Sequence, residues 1–215
     1  MTKDTFNQIA SSWYNFRHWS IFTKELEVLA KRWQKGKLLN LGCAHGPDFL
    51  PFKQSFELYG VDFSSEMIKY AQKYAQKFNF EVKLDVADVR QLPYPDETFE
   101  QAISIATYHH IKGETERQKA LDELKRVLKP GSEAFITVWN YYQFRFWLKP
   151  RETTMPWRQR HKTLYRYYYL FSYGELERLV KKAGFQVLKS FSESTYHCPV
   201  KFFSRNICLL VKKND

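Results

Sequence analysis

The stretch Leu38-Leu39-Asn40-Leu41-Gly42-Cys43-Ala44-His45-Gly46-Pro47-Asp48 restricts the fold more than any other part of this 215-residue chain. Its three leucines read as a short buried strand, and Gly42, Ala44 and Gly46 are small enough for the backbone to turn sharply and come close to a ligand. A strand, a glycine-rich turn and a helix start together form a nucleotide-cofactor signature. An ordinary strand-to-helix turn has the same composition, so spacing decides between the two. A second apolar strand, Phe56-Glu57-Leu58-Tyr59-Gly60-Val61, ends on Asp62, at about the 20-residue interval at which a carboxylate grips ribose hydroxyls.

From Leu38 onward, short apolar strands alternate with amphipathic helices. The pattern predicts strands near 38–42, 57–61, 80–85, 100–106 and 133–139, and helices near 46–54, 64–78 and 115–128. Ser64 supplies a hydroxyl N-cap for the second helix, and Lys129-Pro130-Gly131 stops the third. A last helix near 172–183 opens with the capping box Ser172/Glu175 and runs to Gly184. Strands near 185–192 and 204–212 follow with no helix between them, which implies an antiparallel hairpin. The expected fold is therefore α/β and Rossmann-like: a mostly parallel seven-stranded sheet, helices on both faces, and a C-terminal antiparallel hairpin. That ending belongs to class I S-adenosylmethionine methyltransferases rather than to dehydrogenases.

With 44% hydrophobic residues the chain can bury one generous core, and residues 1–215 are expected to form a single domain. No run approaches the roughly 18 apolar residues of a bilayer span, and the start lacks the apolar centre of a secretory signal. The expectation is a soluble, cytoplasmic protein with no membrane partner. Cys43, Cys198 and Cys208 form no C-x-x-C pair, so neither a disulfide framework nor a metal site of the chain's own is expected.

Charge points outward. A net charge of +11 and a pI near 9.4 favour a polyanionic partner, although basic proteins that bind nothing acidic are common. Residues 1–35 read as a helical segment laid against the core, rich in rings (Phe6, Trp13, Tyr14, Phe16, Trp19, Phe22), with Leu26, Leu29, Ala30 and Trp33 on one face. Within it, Arg17 and His18 are either a solvated pair or part of a lid whose arginine meets a substrate anion. An insertion over 140–170 interleaves rings, among them Trp147, Trp157, Tyr167, Tyr168 and Tyr169, with cations. From Tyr141 to Phe171 it holds seven Lys or Arg against one Glu. Such a mixture suits unpaired nucleotides, whose bases stack while their phosphates are neutralised. Equally, the rings could be packed on the sheet with the cations facing water.

Ligands of such sheets bind at the carboxyl ends of the strands. In that register the turn Gly42, Cys43, Ala44 and Gly46 would carry a methionine moiety, and Asp62, followed by Phe63 and Met67, the ribose. Asp88 and Val89 would meet the adenine edge, and Ile105-Ala106 would form the floor below a sulfonium. Asn40 stands where the superfamily usually has an acid near the cofactor's amino group. Its amide oxygen can accept a hydrogen bond but offers no charge attraction to an ammonium. Ala44 replaces the central glycine of the turn.

The stretch Ala102-Ile103-Ser104-Ile105-Ala106-Thr107-Tyr108-His109-His110-Ile111, the helix Glu116–Leu128 with Lys129-Pro130-Gly131, and Val138-Trp139 resemble the tRNA wobble-uridine methyltransferase family, relatives of the methyltransferase domain fused to an AlkB-type hydroxylase. Arg166-Tyr167-Tyr168-Tyr169-Leu170-Phe171 before Gly174-Glu175-Leu176 resembles the family's second signature, and Arg17 in Asn15-Phe16-Arg17 its N-terminal arginine. The resemblance covers essentially the whole chain. It implies S-adenosylmethionine as cofactor and esterification of the carboxylate of 5-carboxymethyluridine in the tRNA anticodon loop. It also implies a heterodimer with a small zinc-binding activator protein. A carboxylate is already ionised at neutral pH, so the chemistry asks for alignment rather than a strong base. The expected catalytic residues are His109, with His110 the alternative for orienting the acceptor oxygen, and Arg17, holding the anion. His110, Trp139, Arg158, Arg160, Arg166 and Tyr168 are expected at the substrate. No Asp/Asn-Pro-Pro-aromatic run marks methylation of a base amine, and Cys198 is far in sequence from the strand ends that would place a nucleophile for ring-carbon methylation. Two other readings stay open: a small-molecule O-methyltransferase, and a non-catalytic tRNA-binding scaffold.

Overall fold

Leu39 and Leu41 alternate with Leu38 along the first strand, and all three are buried, because helices cover both faces of the sheet they enter. The computed structural model describes residues 3–146, 148–160 and 162–214. Its main sheet is built from β1 (Gly36–Leu41), β2 (Phe56–Asp62), β3 (Lys83–Val86), β4 (Phe99–Ile105), β5 (Leu128–Trp139) and two later strands. β1 runs parallel to β2, with Gly36 opposite Phe56 through Leu41 opposite Val61, and parallel to β4 on its other side. The segment after β5 forms a separate antiparallel hairpin, β6 (Glu152–Arg158) and β7 (Thr163–Tyr169). The chain then returns to the sheet as β8 (Phe185–Ser192) and β9 (Asn206–Lys213). β9 is antiparallel to β5, and the strand order is β3-β2-β1-β4-β5-β9-β8. This is the arrangement expected, parallel strands closed by an antiparallel pair.

Among the described residues five α-helices surround the sheet: α1 (Lys3–Phe16), α2 (Thr23–Trp33), α3 (Ser65–Lys77), α4 (Glu114–Val127) and α5 (Tyr173–Lys182). α4 and α5 bury Leu121, Leu124, Leu176 and Leu179 against one face. α2 and α3 bury Leu26, Trp33 and Ile68 against the other, with Phe49 and Phe52. Each such side chain contributes about 1.5–3 kcal/mol relative to leaving it exposed. Ser64 caps α3 by accepting from the Met67 N–H, and Ser172 and Glu175 form the capping box of α5.

Several boundaries differ from expectation for identifiable reasons. The helix expected at 46–54 is a tight 3-10 turn, Pro47–Phe52, since Pro51 within it lacks the N–H an α-helix needs. β3 starts at Lys83 rather than 80. β5 starts at Leu128 as α4 ends, so Lys129 and Pro130 enter an extended strand instead of a loop. β9 begins at Asn206 because Lys201–Phe203 forms a turn first. The hairpin β6–β7 was not expected inside the 140–170 insertion, and Trp147 of that insertion lies outside the described residues. This hairpin positions the site. It leans over the carboxyl ends of the strands and meets α1, where the rings of Trp13 and Trp157 lie 5.0 Å apart and Trp157 Nε1 donates to Ser12 Oγ at 2.8 Å.

Candidate active site

Between the strand ends and the covering pair of α1 and hairpin lies a cavity of about 520 Å³, within the range of cavities that enclose a cofactor-sized molecule. Its floor is the turn after β1. Gly42 has φ +68°, and a Cβ there would stand 2.3 Å from Thr107 Oγ1, so a side chain has no room. Thr107 Oγ1 itself donates to the Leu41 carbonyl at 2.9 Å. Ala44 holds φ +47°, a left-handed conformation that strains a residue with a Cβ.

Asp62 locks this turn in place. Its two carboxylate oxygens accept from the N–H groups of Ala44 (3.0 Å) and Ser64 (2.9 Å), and each oxygen keeps a second acceptor site. Burial pushes the carboxyl up to about 6 against the opposing pull of those two hydrogen bonds. Phe63, Met67, Val89 and Ile105 line the same region. Asp88 also reaches the wall, but its carboxylate is gripped by Arg90 at 2.6 and 2.9 Å, and this hydrogen bonding to the guanidinium holds it below the usual range. Val89 is left as the unencumbered contact there.

Three of the residues expected at the cofactor stand behind the wall instead of on it. Asn40 is fully buried under the turn, and neither atom of its amide has a partner among the described residues. Cys43 points into the core, where burial raises its thiol well above the ordinary value. Gly46, at φ +89°, packs against the Phe49 ring.

The opposite wall sets cations beside flat rings. Arg166 and Tyr168, two residues apart on β7, share a face. The Arg166 guanidinium sits 5.2, 5.0 and 5.3 Å from the rings of Trp13, Trp157 and Tyr168. Burial, and Arg17 nearby, lower its affinity for the proton. Arg17 lies over Trp13 at 5.1 Å. Among the described residues no carboxylate pairs with Arg17, Arg145 or Arg166, and the Nε atoms of Arg17 and Arg166 are buried without a partner. Arg17 is strapped to the cofactor turn through its carbonyl, which accepts from His45 Nε2.

His109 and His110 follow β4 in one 3-10 turn, and both line the cavity. His109 Nδ1 accepts from the Trp139 N–H at 3.1 Å, its ring stacks on Tyr168 at 4.9 Å, and burial drives its pKa well below 6.5. His110 Nδ1 meets the Tyr167 carbonyl at 2.9 Å, and burial lowers its pKa to about 3. Both rings are neutral at physiological pH.

Of the residues expected at the substrate, Arg17, His109, His110, Trp139, Arg166 and Tyr168 converge on this cavity. Arg158 and Arg160 do not: they are exposed at the far end of the hairpin. Phe6, Trp13, Thr107, Arg145 and Trp157 line the cavity without having been expected there. For α1 a signal existed, because Phe6, Ala10, Trp13 and Arg17 recur at helical spacing. Among the described residues no cluster of three His, Cys, Asp or Glu could hold a metal.

Comparisons with known proteins agree with this geometry. Residues 39–136 match the family model described as a methyltransferase domain. The tRNA (carboxymethyluridine(34)-5-O)-methyltransferase of Arabidopsis thaliana is 40% identical over 102 residues, 47% of this chain and 24% of that protein, so the match spans about a quarter of the relative's length. The Schizosaccharomyces pombe protein of the same name is 26% identical over 176 residues, 70% of this chain and 74% of its own. Among solved structures, an S-adenosylmethionine-dependent methyltransferase of Clostridium acetobutylicum has a TM-score of 0.75 at 15% identity, covering 90% and 91% of the two chains. A Haloferax volcanii chain, solved in complex with the Trm112 methyltransferase activator, has a TM-score of 0.67 at 15% identity over 98% of both.

Proposed function

We propose that the chain is a class I S-adenosylmethionine-dependent methyltransferase, a reading supported by the methyltransferase-domain match over residues 39–136, and that it esterifies the carboxylate of 5-carboxymethyluridine at the wobble position of a tRNA anticodon. One observation carries the reading: two arginines, Arg17 and Arg166, face the cofactor cavity with no carboxylate of their own, beside a neutral histidine and a stacked ring. A buried cation without a partner is costly, and an incoming anion is what relieves it.

The cavity is large enough for the cofactor, and its floor is backbone held close to the Thr107 side chain at Gly42, where a Cβ has no room. Gly42 and Ala44 would hold its methionine portion, Asp62 its ribose hydroxyls, and Phe63, Met67, Val89 and Ile105 its flat and apolar parts. Bound there, the cofactor supplies an electrophilic methyl group on sulfur. The protein's task is then to align. Arg17 and Arg166 hold the carboxylate, and the Nε2–H of His109 fixes the attacking oxygen without neutralising it. A neutral imidazole suits this step because proton transfer to the carboxylate would blunt its nucleophilicity. Tyr168 and Trp139 offer ring faces to the uracil, and Phe6, Trp13 and Trp157 exclude water.

We place the enzyme in the cytoplasm and in a heterodimer with a small zinc-binding activator. The RNA substrate proposed above favours the first, and no helix among the described residues is long and apolar enough to cross a membrane. The fold shared with the Haloferax chain favours the second. The test is transfer of label from S-adenosylmethionine to bulk tRNA carrying carboxymethyluridine, with and without activator. Label released by mild alkali, as an ester requires, is the expected result. Tight cofactor binding with no transfer to RNA in either condition would overturn the reading in favour of a small-molecule acceptor.

A further inference from the structure

Outside the cavity, the end of β5 carries a second set of rings. Asn140 is fully buried and its amide nitrogen donates to the carbonyls of Phe202 (2.7 Å) and Ser204 (2.8 Å), while Gln143 Nε2 donates to those of Asn140 and Arg205. Three of these bonds clamp the loop before β9 onto the segment after β5, and the fourth ties Gln143 to Asn140 within that segment. Two ring pairs result. Tyr142 stacks on Phe202 at 3.9 Å, and Phe144 lies nearly parallel to Phe203, 9° between planes at 5.5 Å. They are rigidly based yet open: Phe144 is 72% exposed and Phe202 42%. Large rings are not normally held face-up to water without a use.

The setting specifies that use. The ledge begins one residue from the cavity rim, because Arg145 follows Phe144 and lines the cavity over the Trp139 ring at 5.3 Å. Arg145 follows Phe144 in the chain, Lys149 reaches the Phe146 ring at 6.0 Å, and Arg205 stands two residues after Phe203; all three are exposed and, among the described residues, none pairs with a carboxylate. The neighbouring acid, Glu193, is turned inward, where its two oxygens accept from the N–H groups of Arg205 and Asn206. An apolar protein partner would leave these cations unmatched, whereas alternating bases and phosphates match rings and cations together.

We propose that the ledge of Tyr142, Phe144, Phe202 and Phe203 is a stacking platform for the unpaired nucleotides flanking the methylated uridine, with Arg145, Lys149 and Arg205 meeting their phosphates. The proposal rests on the tRNA reading above and adds to it a second surface, separate from the residues that hold the reacting base. Base stacking on the ledge would splay the loop and present its neighbour to the cavity.

The test uses the full chain and an anticodon stem-loop RNA with 2-aminopurine beside the target uridine. Wild-type protein should quench the 2-aminopurine and bind the RNA. The variant F144A/F203A should lose the quench and bind at least five-fold more weakly, while retaining S-adenosylmethionine affinity and thermal stability. The ring-retaining variant F144Y/F203Y should restore both signals. Undiminished affinity and quench in F144A/F203A would overturn the ledge proposal even where the wild type methylates the RNA. If that variant also fails to co-elute with the activator, the ledge belongs to a protein partner. No RNA binding by wild type at all would instead remove the tRNA reading, and the platform with it.

Discussion

The backbone N–H of Trp139 donates to Nδ1 of His109 across 3.1 Å, so the single proton of that neutral ring sits on Nε2. One residue later the order is reversed, since His110 Nδ1 donates to the Tyr167 carbonyl and its Nε2 is left as an acceptor. Only His109 can therefore offer an N–H to a carboxylate. Replacing it with Phe should lower kcat for RNA methylation by about 10²-fold, the effect of removing one aligned donor, with the cofactor dissociation constant unchanged. His109→Gln, which keeps an N–H donor, should recover part of the loss. Equal losses in both variants, accompanied by weaker cofactor binding, would mean that the ring only packs the site.

The pH profile should be simple. With His109 well below 6.5 and His110 at about 3, neither imidazole titrates near neutrality, and the acceptor carboxylate is already ionised. Two groups are in range, Asp62 and Asp48, both raised to about 6 by burial, and of the two it is Asp62 that lines the cavity. Its protonation removes acceptor capacity that the Ala44 and Ser64 N–H groups, and ribose hydroxyls, would use. We expect kcat/KM to be level from about pH 7 to 8.5 and to fall as pH drops through about 6, the region set by Asp62. Asp62→Asn should abolish that acid limb and raise KM for the cofactor. An acid limb near 6 that survives in Asp62→Asn would overturn this assignment and implicate Asp48.

Ala44 gives a test of backbone strain. A residue with a Cβ costs about 1–2 kcal/mol in the left-handed region, against about 0.5–1 kcal/mol for the extra chain freedom glycine surrenders on folding. Ala44→Gly should therefore raise stability by about 0.5–1 kcal/mol, read as a higher denaturant midpoint at unchanged m-value. A lower midpoint would show that the alanine methyl has packing worth more than the strain.

What could be read from residue patterns alone was whatever depended on period. Leu38 to Leu41, the Ser64 and Ser172 caps and the strand pair after Gly184 are local features whose physics leaves one outcome, and the sheet followed from them. The 140–170 insertion hid its hairpin because the same threonines and tyrosines that favour strands also make a plausible nucleotide-binding surface. Proximity was harder. Asn40 holds a familiar position in the turn, yet the alternation of β1 turns it into the core. Arg158 and Arg160 looked equivalent to Arg166 by composition, but only the strand's two-residue period decides which arginine faces inward. Trp13 reached the cavity because α1 packs across the hairpin, a tertiary contact no local pattern encodes.

Arg166 should trade stability for function. The residue is 6% exposed, its guanidinium is boxed by three rings, and it has no carboxylate partner among the described residues. The ring contacts offset part of the desolvation, by about 2 kcal/mol at most for each favourable one, but an apolar side chain of similar length avoids the desolvation altogether. Arg166→Met should leave the melting temperature of the ligand-free protein equal or higher while lowering methyl transfer at least 10²-fold. Arg166→Lys should not rescue activity, since a point charge cannot reproduce the planar fork that meets a carboxylate. A marked fall in melting temperature for Arg166→Met would make the arginine a structural prop.

Arg158 and Arg160 lie at the exposed end of the hairpin, away from the cavity. Their contribution can only be to phosphates at a distance from the reacting base. Each phosphate contact made to a single-stranded loop adds about 0.7 to the slope of log K against log salt. Arg158→Ala/Arg160→Ala should therefore weaken RNA binding at low salt and reduce the magnitude of that slope by about 1.4, with kcat at saturating RNA unchanged. Arg166→Met should instead lower kcat, because Arg166 acts at the reacting carboxylate inside the cavity. If the double variant keeps the full slope, the two arginines are a solvated face of β6 and its turn, and the charge that draws RNA to the site lies elsewhere.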